Sequence, residues 1–410
     1  MTVPPPLGAP SGIGPAPWDG HRLPPVLSSA PVPPRPPRDR RRLGIVLAGT
    51  IGAVAVVTGL GITQVVASQA YDQAASGVED AARSVTTHQT ELRERTTDLV
   101  AATDAGHVVI DTGAPALAVP DDIWAALDSA VANGEDIGAE AEDVLSTALP
   151  AVATKPGWFW ELFPATDRLT ADQGILRDID DRTASATAAT SEGLDAVQTS
   201  GVAVITAAGE AAGSFEIAHP STRNAAVIAL RGAAAEAVAV TEVDDAAVAA
   251  YVALQSAATD VVSAEKAELA EKAGPLRAAR LAIEAFARSL APGVLLEFDW
   301  APVVNGAGYN GSMGGYTTWW WDTPGRAVIE LSDSVAEQWP AERSKALVAH
   351  EVGHAISVKC QDMYDSSTQD SIEKWATAWA ISMGFTDDAN GVWAYGYPPQ
   401  NYIDAAAGCR

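Results

Sequence analysis

Two histidines and a glutamate between Lys345 and Ser357 have the spacing of a metal site. His350 and His354 are four residues apart, so on a helix both imidazoles face the same side and can bind one Zn²⁺. Glu351 lies on nearly the same face, where its carboxylate can hold a water molecule and accept its proton instead of binding the metal. The HExxH pattern therefore predicts a helix that carries a zinc site.

The residues before the motif support this helix. Pro340 suits a first helical position and Glu342 suits a first turn. An apolar run precedes His350, which indicates a buried helix. The alternative, two surface histidines without a metal, is disfavoured because the chain has only six histidines and two of them stand here.

A catalytic zinc ion needs a third protein ligand. No histidine follows His354, so the pattern HExxHxxGxxH is excluded and a carboxylate is expected. Glu373 is favoured because it opens a helical stretch, Ile372–Met383, and small residues on its own side, Ala376 and Ala380, allow close approach to the HExxH helix. The remaining downstream acidic residues are Asp362, Asp365, Asp370, Asp387, Asp388 and Asp404.

With these residues, the segment of about 294–410 resembles a gluzincin-type zinc metallopeptidase of the compact minigluzincin kind. The resemblance implies hydrolysis of peptide bonds by zinc-activated water, with His350, His354 and Glu373 as ligands and Glu351 as general base. It also implies a peptide or protein substrate.

The chain departs from the family pattern at two points. Many gluzincins have an aspartate four residues after the ligand glutamate, and here that residue is Thr377, so the orientation of a zinc-bound histidine must come from elsewhere. No histidine that could stabilise an oxyanion follows the motif, and four tyrosines remain as candidates: Tyr364, Tyr395, Tyr397 and Tyr402. A strand-like segment upstream, Ala327–Ser332, is expected to be the edge strand that pairs with substrate.

The N-terminal region predicts a membrane anchor. Residues 1–42 are proline-rich and end in an arginine cluster, which predicts a disordered cytoplasmic tail. Residues 43–66 are mainly apolar and long enough to cross a bilayer. A cleaved signal peptide is the competing interpretation, and the long tail and the lack of a convincing small-residue cleavage site disfavour it.

Charge and cysteines indicate on which side the rest of the chain lies. The tail has six basic and two acidic residues, which leaves 26 − 6 = 20 basic and 52 − 2 = 50 acidic residues beyond it. Basic residues stay in the cytoplasm, so we expect a single-pass protein with its C-terminal domain extracellular. A net charge of −26 argues against a nucleic-acid partner. Cys360 and Cys409 are expected to form a disulfide outside the cell, with two unpaired buried thiols as the alternative.

Residues 68–290 are rich in alanine and predict a compact antiparallel α-helical bundle. Its breaks are expected at 113–120, 133–138, 150–157, 213–220 and 274–275. A heptad-like seam follows Val240, Val243, Ala247, Ala250, Leu254, Ala257, Val261 and Ala264, and it leaves self-association through a coiled coil open. An aromatic cluster, Trp158–Trp160, suits a cap on the bundle or contact with the membrane surface.

The chain therefore predicts a mainly α protein: an N-terminal transmembrane helix, an external helical bundle and, over 294–410, a small α+β zincin-like domain with a short sheet, the HExxH helix and the glutamate helix. The expected strands are Val294–Trp300, Tyr316–Trp321 and Ala327–Leu331, and at least one of Trp319, Trp320 and Trp321 should be buried. The expected function is that of a membrane-anchored zinc peptidase. The alternative is a non-catalytic envelope scaffold or interaction protein with a degenerate, zinc-stabilised terminal domain.

Overall fold

The computed structural model describes residues 40–112, 115–304, 314–323 and 325–410, with only the backbone described for 40–56. The predicted tail, 1–42, lies almost wholly outside the described residues, as does most of the predicted loop 305–315. The described chain is mainly helical with one small sheet. Its elements are α1 Arg40–Asp111, α2 Asp121–Leu145, α3 Phe159–Ala218, α4 Asn224–Val238, α5 Asp245–Glu271, α6 Arg277–Leu290, β1 Leu295–Ala301, β2 Gly315–Trp319, β3 Arg326–Ser332, α7 Asp333–Glu337, α8 Glu342–Ser357, α9 Gln369–Ser382, α10 Val392–Tyr395 and α11 Gln400–Ala406.

Helices α1 and α3 run parallel along a heptad seam. Buried residues recur every seventh position, at Tyr71, Val78, Val85, Leu92 and Leu99 of α1 and at Leu162, Leu169, Leu176, Thr183, Thr190, Val197 and Val204 of α3. The Ser84 hydroxyl donates to Asp180 at 3.0 Å, and the space above Gly77 is filled by Gln173. Both pairs are offset by 96 residues (180 − 84 and 173 − 77), so the two helices advance in the same direction, as in a parallel coiled coil. Helix α2 runs antiparallel to α1, since Gly106 lies against Val131 and Gly134 against Thr103, so the parallel α1–α3 pair is compatible with the predicted antiparallel bundle.

The remaining helices of the bundle pack around the later part of this pair. Residues Leu99, Val131, Val197, Leu230 and Leu254 belong to one buried cluster that joins α1 to α5. The break expected at 133–138 is wrong, because α2 continues through both of its glycines. Gly134 lies against Thr103 and Leu99, and a Cβ there would meet the Thr103 methyl group at 2.7 Å. The glycine therefore permits close packing instead of ending the helix.

The predicted alanine-rich seam is largely buried in and just before α5. Val243, Ala247, Leu254, Ala257 and Val261 are all buried. Among the described side chains, α5 is also the one helix that is long and apolar enough to cross a membrane by length and composition. Its buried residues contact α3 and α4, so the same apolar character serves packing within the bundle.

The backbone of the predicted transmembrane segment, 43–66, lies in helix α1. The side chains of residues 43–56 lie outside the described part of the chain. The membrane crossing therefore stays a prediction.

The sheet of the terminal domain has three strands in the order β1-β3-β2. β1 pairs parallel to β3 from Leu295↔Arg326, and β2 pairs antiparallel to β3 from Gly315↔Leu331. All three predicted strands are confirmed within one or two residues. The segment Ala327–Ser332 is the central strand, so its expected role as the edge strand is wrong. The edge strand that contacts α8 is β2.

Helix α6 packs against the sheet, although the sequence placed it in the bundle. Its residues Ile283 and Ala287 share a buried cluster with the strands and with α8. Lys272, just after α5, lies 3.0 Å from Glu284 of α6 and 3.1 Å from Glu268 of α5, and all three side chains are almost fully buried. This paired cluster and the core around α6 join the bundle to the terminal domain.

The predicted disulfide is present between Cys360 and Cys409, with 6.0 Å between the Cα atoms. It closes a loop of 49 residues that contains α9, α10 and α11. In the chain-entropy model such a loop contributes about 4 kcal/mol to the free energy of unfolding. The Trp379 indole donates to the Cys409 carbonyl at 2.9 Å, so the chain end is held against α9 as well.

Candidate metal centre

Helix α8 carries the HExxH motif inside the terminal domain. Its residues from Ala346 to Ser357 are all buried, and His350 and His354 are each only 5 % exposed. The helix begins at Glu342, so Pro340 lies before it and not at its first position as expected. The burial predicted from the apolar run is confirmed. These histidines are therefore held by packing on all sides of their helix.

Helix α9 crosses α8 at very short range. A Cβ on Gly353 would lie 2.8 Å from the Ala376 carbonyl oxygen and 3.0 Å from the Ala376 Cα. The contact needs a small residue on each helix, and only Ala376 was identified from the sequence. Because Glu373 stands one turn before Ala376 on α9, this close approach brings its carboxylate to the two histidines.

Three ligand atoms converge between the helices. Glu373 Oε2 lies 3.2 Å from His350 Nε2 and 3.1 Å from His354 Nε2, and the two nitrogens are 3.2 Å apart. Among the described residues, this is the one group of three or more acidic, histidine or cysteine side chains with metal-site spacing. Ligands about 2.0–2.1 Å from a tetrahedral zinc are about 3.3 Å from one another, which this triangle matches. The donor set and its size therefore fit a zinc ion.

The hydrogen bonding of His350 indicates that a cation would be stabilised between the three groups. Its Nδ1 lies 2.9 Å from the Asn390 carbonyl oxygen, which can only accept, so Nδ1 carries the proton. In the neutral ring, Nε2 then has only a lone pair, and this faces Glu373 and His354 Nε2. Acceptors that face one another in a buried site repel unless a metal ion or a proton lies between them.

The Asn390 segment is shaped to reach His350. Gly391 has φ +102°, and a Cβ there would lie 2.7 Å from the His350 ring and collide with Thr377. The Asn390 amide is fixed in turn, since it donates to the Phe385 carbonyl at 2.8 Å. Thr377, four residues after Glu373, donates to the backbone carbonyl of Glu373 at 2.9 Å, and its hydroxyl oxygen also lies 3.4 Å from His350 Nδ1. The Asn390 carbonyl is the nearer acceptor of the two and orients the histidine.

The two carboxyl groups of the site have pKa values shifted in opposite directions. Burial raises the pKa of Glu351, and the nearby charge of Glu373 adds to this, against the opposing influence of His350 and Thr317. Burial would also raise the pKa of Glu373, but the interactions with the His350 and His354 imidazoles outweigh burial and lower it well below the usual range. Glu373 is therefore the ionised carboxylate of the cluster, and Glu351 is the group whose environment favours holding a proton.

Strand β2 holds Glu351 in place. The Thr317 hydroxyl donates to Glu351 Oε2 at 2.7 Å, and both groups are buried. A Cβ on Gly315 would lie 2.5 Å from the other carboxylate oxygen, so only a glycine leaves room for this carboxylate. Neither residue was identified from the sequence.

Two aromatic rings stack on the histidines. Trp319 is parallel to His354, with 5.3 Å between ring centroids, and Tyr395 is nearly parallel to His350 at 5.8 Å. Trp319 and Trp320 are half-buried and Trp321 is exposed, so the expectation that at least one of the three is buried is wrong. Trp319 packs against the core and stacks on His354.

Of the four candidate tyrosines, Tyr395 lies at the site. Burial, together with the charges of Glu373 and Glu351, raises its pKa to about 12, so its hydroxyl stays protonated and can donate a hydrogen bond. Tyr402 is 2.8 Å from the Ser371 hydroxyl, Tyr364 stacks on Trp375, and Tyr397 is exposed.

The structure brings together His350, His354 and Glu373, with Glu351 beside them. Two of the acidic residues considered in place of Glu373 are engaged elsewhere. Asp370 pairs with Lys374 at 2.6 Å, and Asp365 accepts from the backbone and hydroxyl of Ser367.

Neither protein-family models, nor curated proteins, nor solved structures give a match to this chain. The interpretation of the site therefore depends on its own geometry.

Proposed function

We propose that this protein is a membrane-anchored, zinc-dependent peptidase of the gluzincin type that hydrolyses peptide bonds outside the cell. The observation that carries the proposal is the convergence of His350, His354 and Glu373 within 3.2 Å of one another, beside a buried Glu351. The small sheet, the HExxH helix and the glutamate helix form the zincin-like domain. A bound zinc ion would supply a Lewis acid that polarises a carbonyl group and makes water acidic enough to ionise near neutral pH.

The residues of the chain have distinct roles in this proposal. Glu351 accepts the proton of the attacking water and passes it to the leaving amine, which its raised pKa favours. Thr317 fixes the direction of that carboxylate. Tyr395 donates its phenol hydrogen to the oxygen that becomes negative when the peptide carbonyl is attacked. The edge strand β2, whose side away from β3 pairs with no strand among the described residues, offers backbone groups to an extended peptide.

The oxidised Cys360–Cys409 pair agrees with an extracellular location. The anchor is the segment 43–66, with the arginine-rich tail in the cytoplasm. External protease added to intact cells should remove the chain beyond Val66. Protection that disappears only on lysis would mean the opposite orientation.

The test of the metal site uses the full chain purified in detergent. Mass spectrometry of metals should find one zinc per chain, and Glu373→Ala should lose it. Asp370→Ala is the matched control, because Asp370 lies on the same helix and pairs on the surface with Lys374. Loss of zinc in the control but not in Glu373→Ala would overturn the ligand assignment.

The test of activity is cleavage of a peptide library by the same preparation. Glu351→Gln should keep zinc, because the amide preserves shape and can still accept from Thr317, but turnover should fall on the order of 10²–10⁴-fold. Zinc binding without any cleavage by the unmodified chain would favour the scaffold alternative. Cleavage unaffected by Glu351→Gln would exclude the proposed base.

A further inference from the structure

A patch of exposed apolar side chains lies at one end of the α1–α3 pair. It consists of Val152, Trp158, Trp160 and Phe163, which are 46, 59, 56 and 47 % exposed. The Trp158 and Trp160 rings stack on each other, 5.1 Å apart and 5° from parallel. About half of the surface of these aromatic side chains is exposed to solvent. They therefore do more than cover the bundle core.

The register of the two helices locates the patch. With the offset of 96 residues, position 165 of α3 is level with Gln69 of α1. Residues 158–163 precede position 165 by two to seven residues, or about 3–10 Å along a helix. The patch therefore lies at the end of the α1–α3 pair where Gln69 and Tyr71 stand.

The connection before α3 is fixed at the same end. The Tyr71 hydroxyl donates to the Ala153 carbonyl at 3.0 Å, and Lys155 lies 2.6 Å from Asp72. These contacts hold the segment that leads into Trp158 near the start of the described bundle. The exposed rings are thus presented by a fixed piece of backbone.

Chain connectivity keeps the end of the apolar segment close to Gln69, because three residues span at most about 10 Å. The apolar segment 43–66 ends three residues before Gln69. The polar and interfacial regions of a bilayer extend about 5–8 Å beyond its hydrocarbon on each side, which overlaps the height of the patch. Tryptophan is enriched in this layer, because the ring is apolar while its N–H can hydrogen-bond to water and headgroups.

We propose that the aromatic patch inserts into the interfacial layer of the bilayer that residues 43–66 cross. The patch then provides a second attachment beside the anchor and restricts the tilt of the bundle on the membrane. This inference rests on the membrane anchor of the proposed function and not on the zinc chemistry.

The experiment uses the full chain in lipid nanodiscs of phosphatidylcholine, with acyl chains brominated close to the headgroup. Bromine quenches tryptophan fluorescence on contact, and the same nanodiscs without bromine give the reference. Trp158→Phe/Trp160→Phe keeps the patch apolar but removes its two reporters, so we expect the double variant to lose at least half of the bromine-dependent quenching. Bromine placed near the ends of the acyl chains should quench the unmodified chain less.

Trp393→Phe is the matched control. Trp393 is 82 % exposed but belongs to the terminal domain, so its removal should leave the quenching unchanged. Equal quenching in the unmodified chain and in the patch variant would overturn the proposal.

Other outcomes are equally decisive. A chain that does not enter nanodiscs would overturn the anchor and with it the patch, whereas the zinc content of that preparation reports separately on the proposed function. If Trp158→Ser/Trp160→Ser lowers the oligomeric mass by light scattering and quenching stays unchanged, a second copy covers the patch and the membrane proposal is wrong.

Discussion

The contact between α8 and α9 can be tested by Gly353→Ala. The new Cβ would lie 2.8 Å from the Ala376 carbonyl oxygen, whereas ordinary contacts of this kind begin at 3.4 Å. The obstacle is backbone and not a movable side chain, so α9 must retreat by about 0.6 Å, the difference of these distances. Metal–ligand distances are held within about 0.2 Å. The shift therefore exceeds what Glu373 can tolerate as a ligand.

Two effects set the change in stability. Overpacking costs about 1–3 kcal/mol, and the better helix propensity of alanine returns up to about 1 kcal/mol. The net loss in free energy of unfolding is therefore about 0–2 kcal/mol, with a fall in zinc affinity of at least tenfold, the lower limit for loss of a supporting contact. The measurements are zinc competition with a chromogenic chelator and thermal unfolding of the metal-free chain.

The matched control is Gly232→Ala. Gly232 also lies in a helix, but a Cβ there meets nothing within 4 Å. Only the gain in helix propensity acts on it, so stability should rise slightly and zinc affinity should not change. Wild-type zinc affinity in Gly353→Ala would refute the argument that this contact positions Glu373.

Three further predictions concern groups around the metal centre. Thr317→Val should keep zinc but slow hydrolysis about 10–100-fold, because a buried hydrogen bond to Glu351 in the ionised form that acts as the base contributes about 1.5–3 kcal/mol. Tyr395→Phe should keep zinc and ring stacking but reduce turnover on the order of 10²-fold, the effect of removing one oxyanion donor, with little change in KM. Cys360→Ser/Cys409→Ser should lower the free energy of unfolding by about 4 kcal/mol, measured by denaturant titration of the terminal-domain transition.

Each of these variants has its own control. Thr318→Val changes an exposed threonine on the same strand and should leave the rate unaltered. Tyr397→Phe removes an exposed phenol from the next tyrosine along the chain. A reducing agent should destabilise the wild-type chain but not the cysteine double variant. Identical rates in Tyr395→Phe and wild type would remove the phenol from the mechanism.

The three residues of the candidate metal site could be singled out from the sequence because their spacing depends on local periodicity. The four-residue spacing of His350 and His354 needs only one helix, and Glu373 is marked by its own helix and by Ala376. The disulfide and the strands followed from composition in the same way. The spacing of residues within one helix or strand can be recognised without knowledge of the fold.

The residues that position the candidate ligands could not be recognised in the sequence, because their role arises from tertiary contacts. Gly315 and Thr317 act on Glu351 from a strand that precedes it by more than 30 residues, and glycine and threonine are found in strands that have no part in any site. Asn390 orients His350 through its backbone carbonyl, which any residue type could provide. Their contribution required knowing which strand lies at the edge and which loop covers the histidine.

The heptads of α1 and α3 are present in the sequence, although they were not among the predicted features. Leu162, Leu169 and Leu176 repeat at seven-residue intervals, as do Val78 and Val85. The relative direction of the two helices could not be predicted, because a heptad seam alone does not indicate whether its partner runs parallel or antiparallel.

The length of α3 sets the reach of the protein. From position 165, level with Gln69, to its end at Ala218 the helix spans 53 residues, or about 80 Å. The terminal domain joins the chain at that far end, where the Asn224 amide donates to the Ala327 carbonyl of the sheet at 2.9 Å. The helix therefore separates the sheet of the terminal domain from the start of the described bundle at Gln69 by most of its own length.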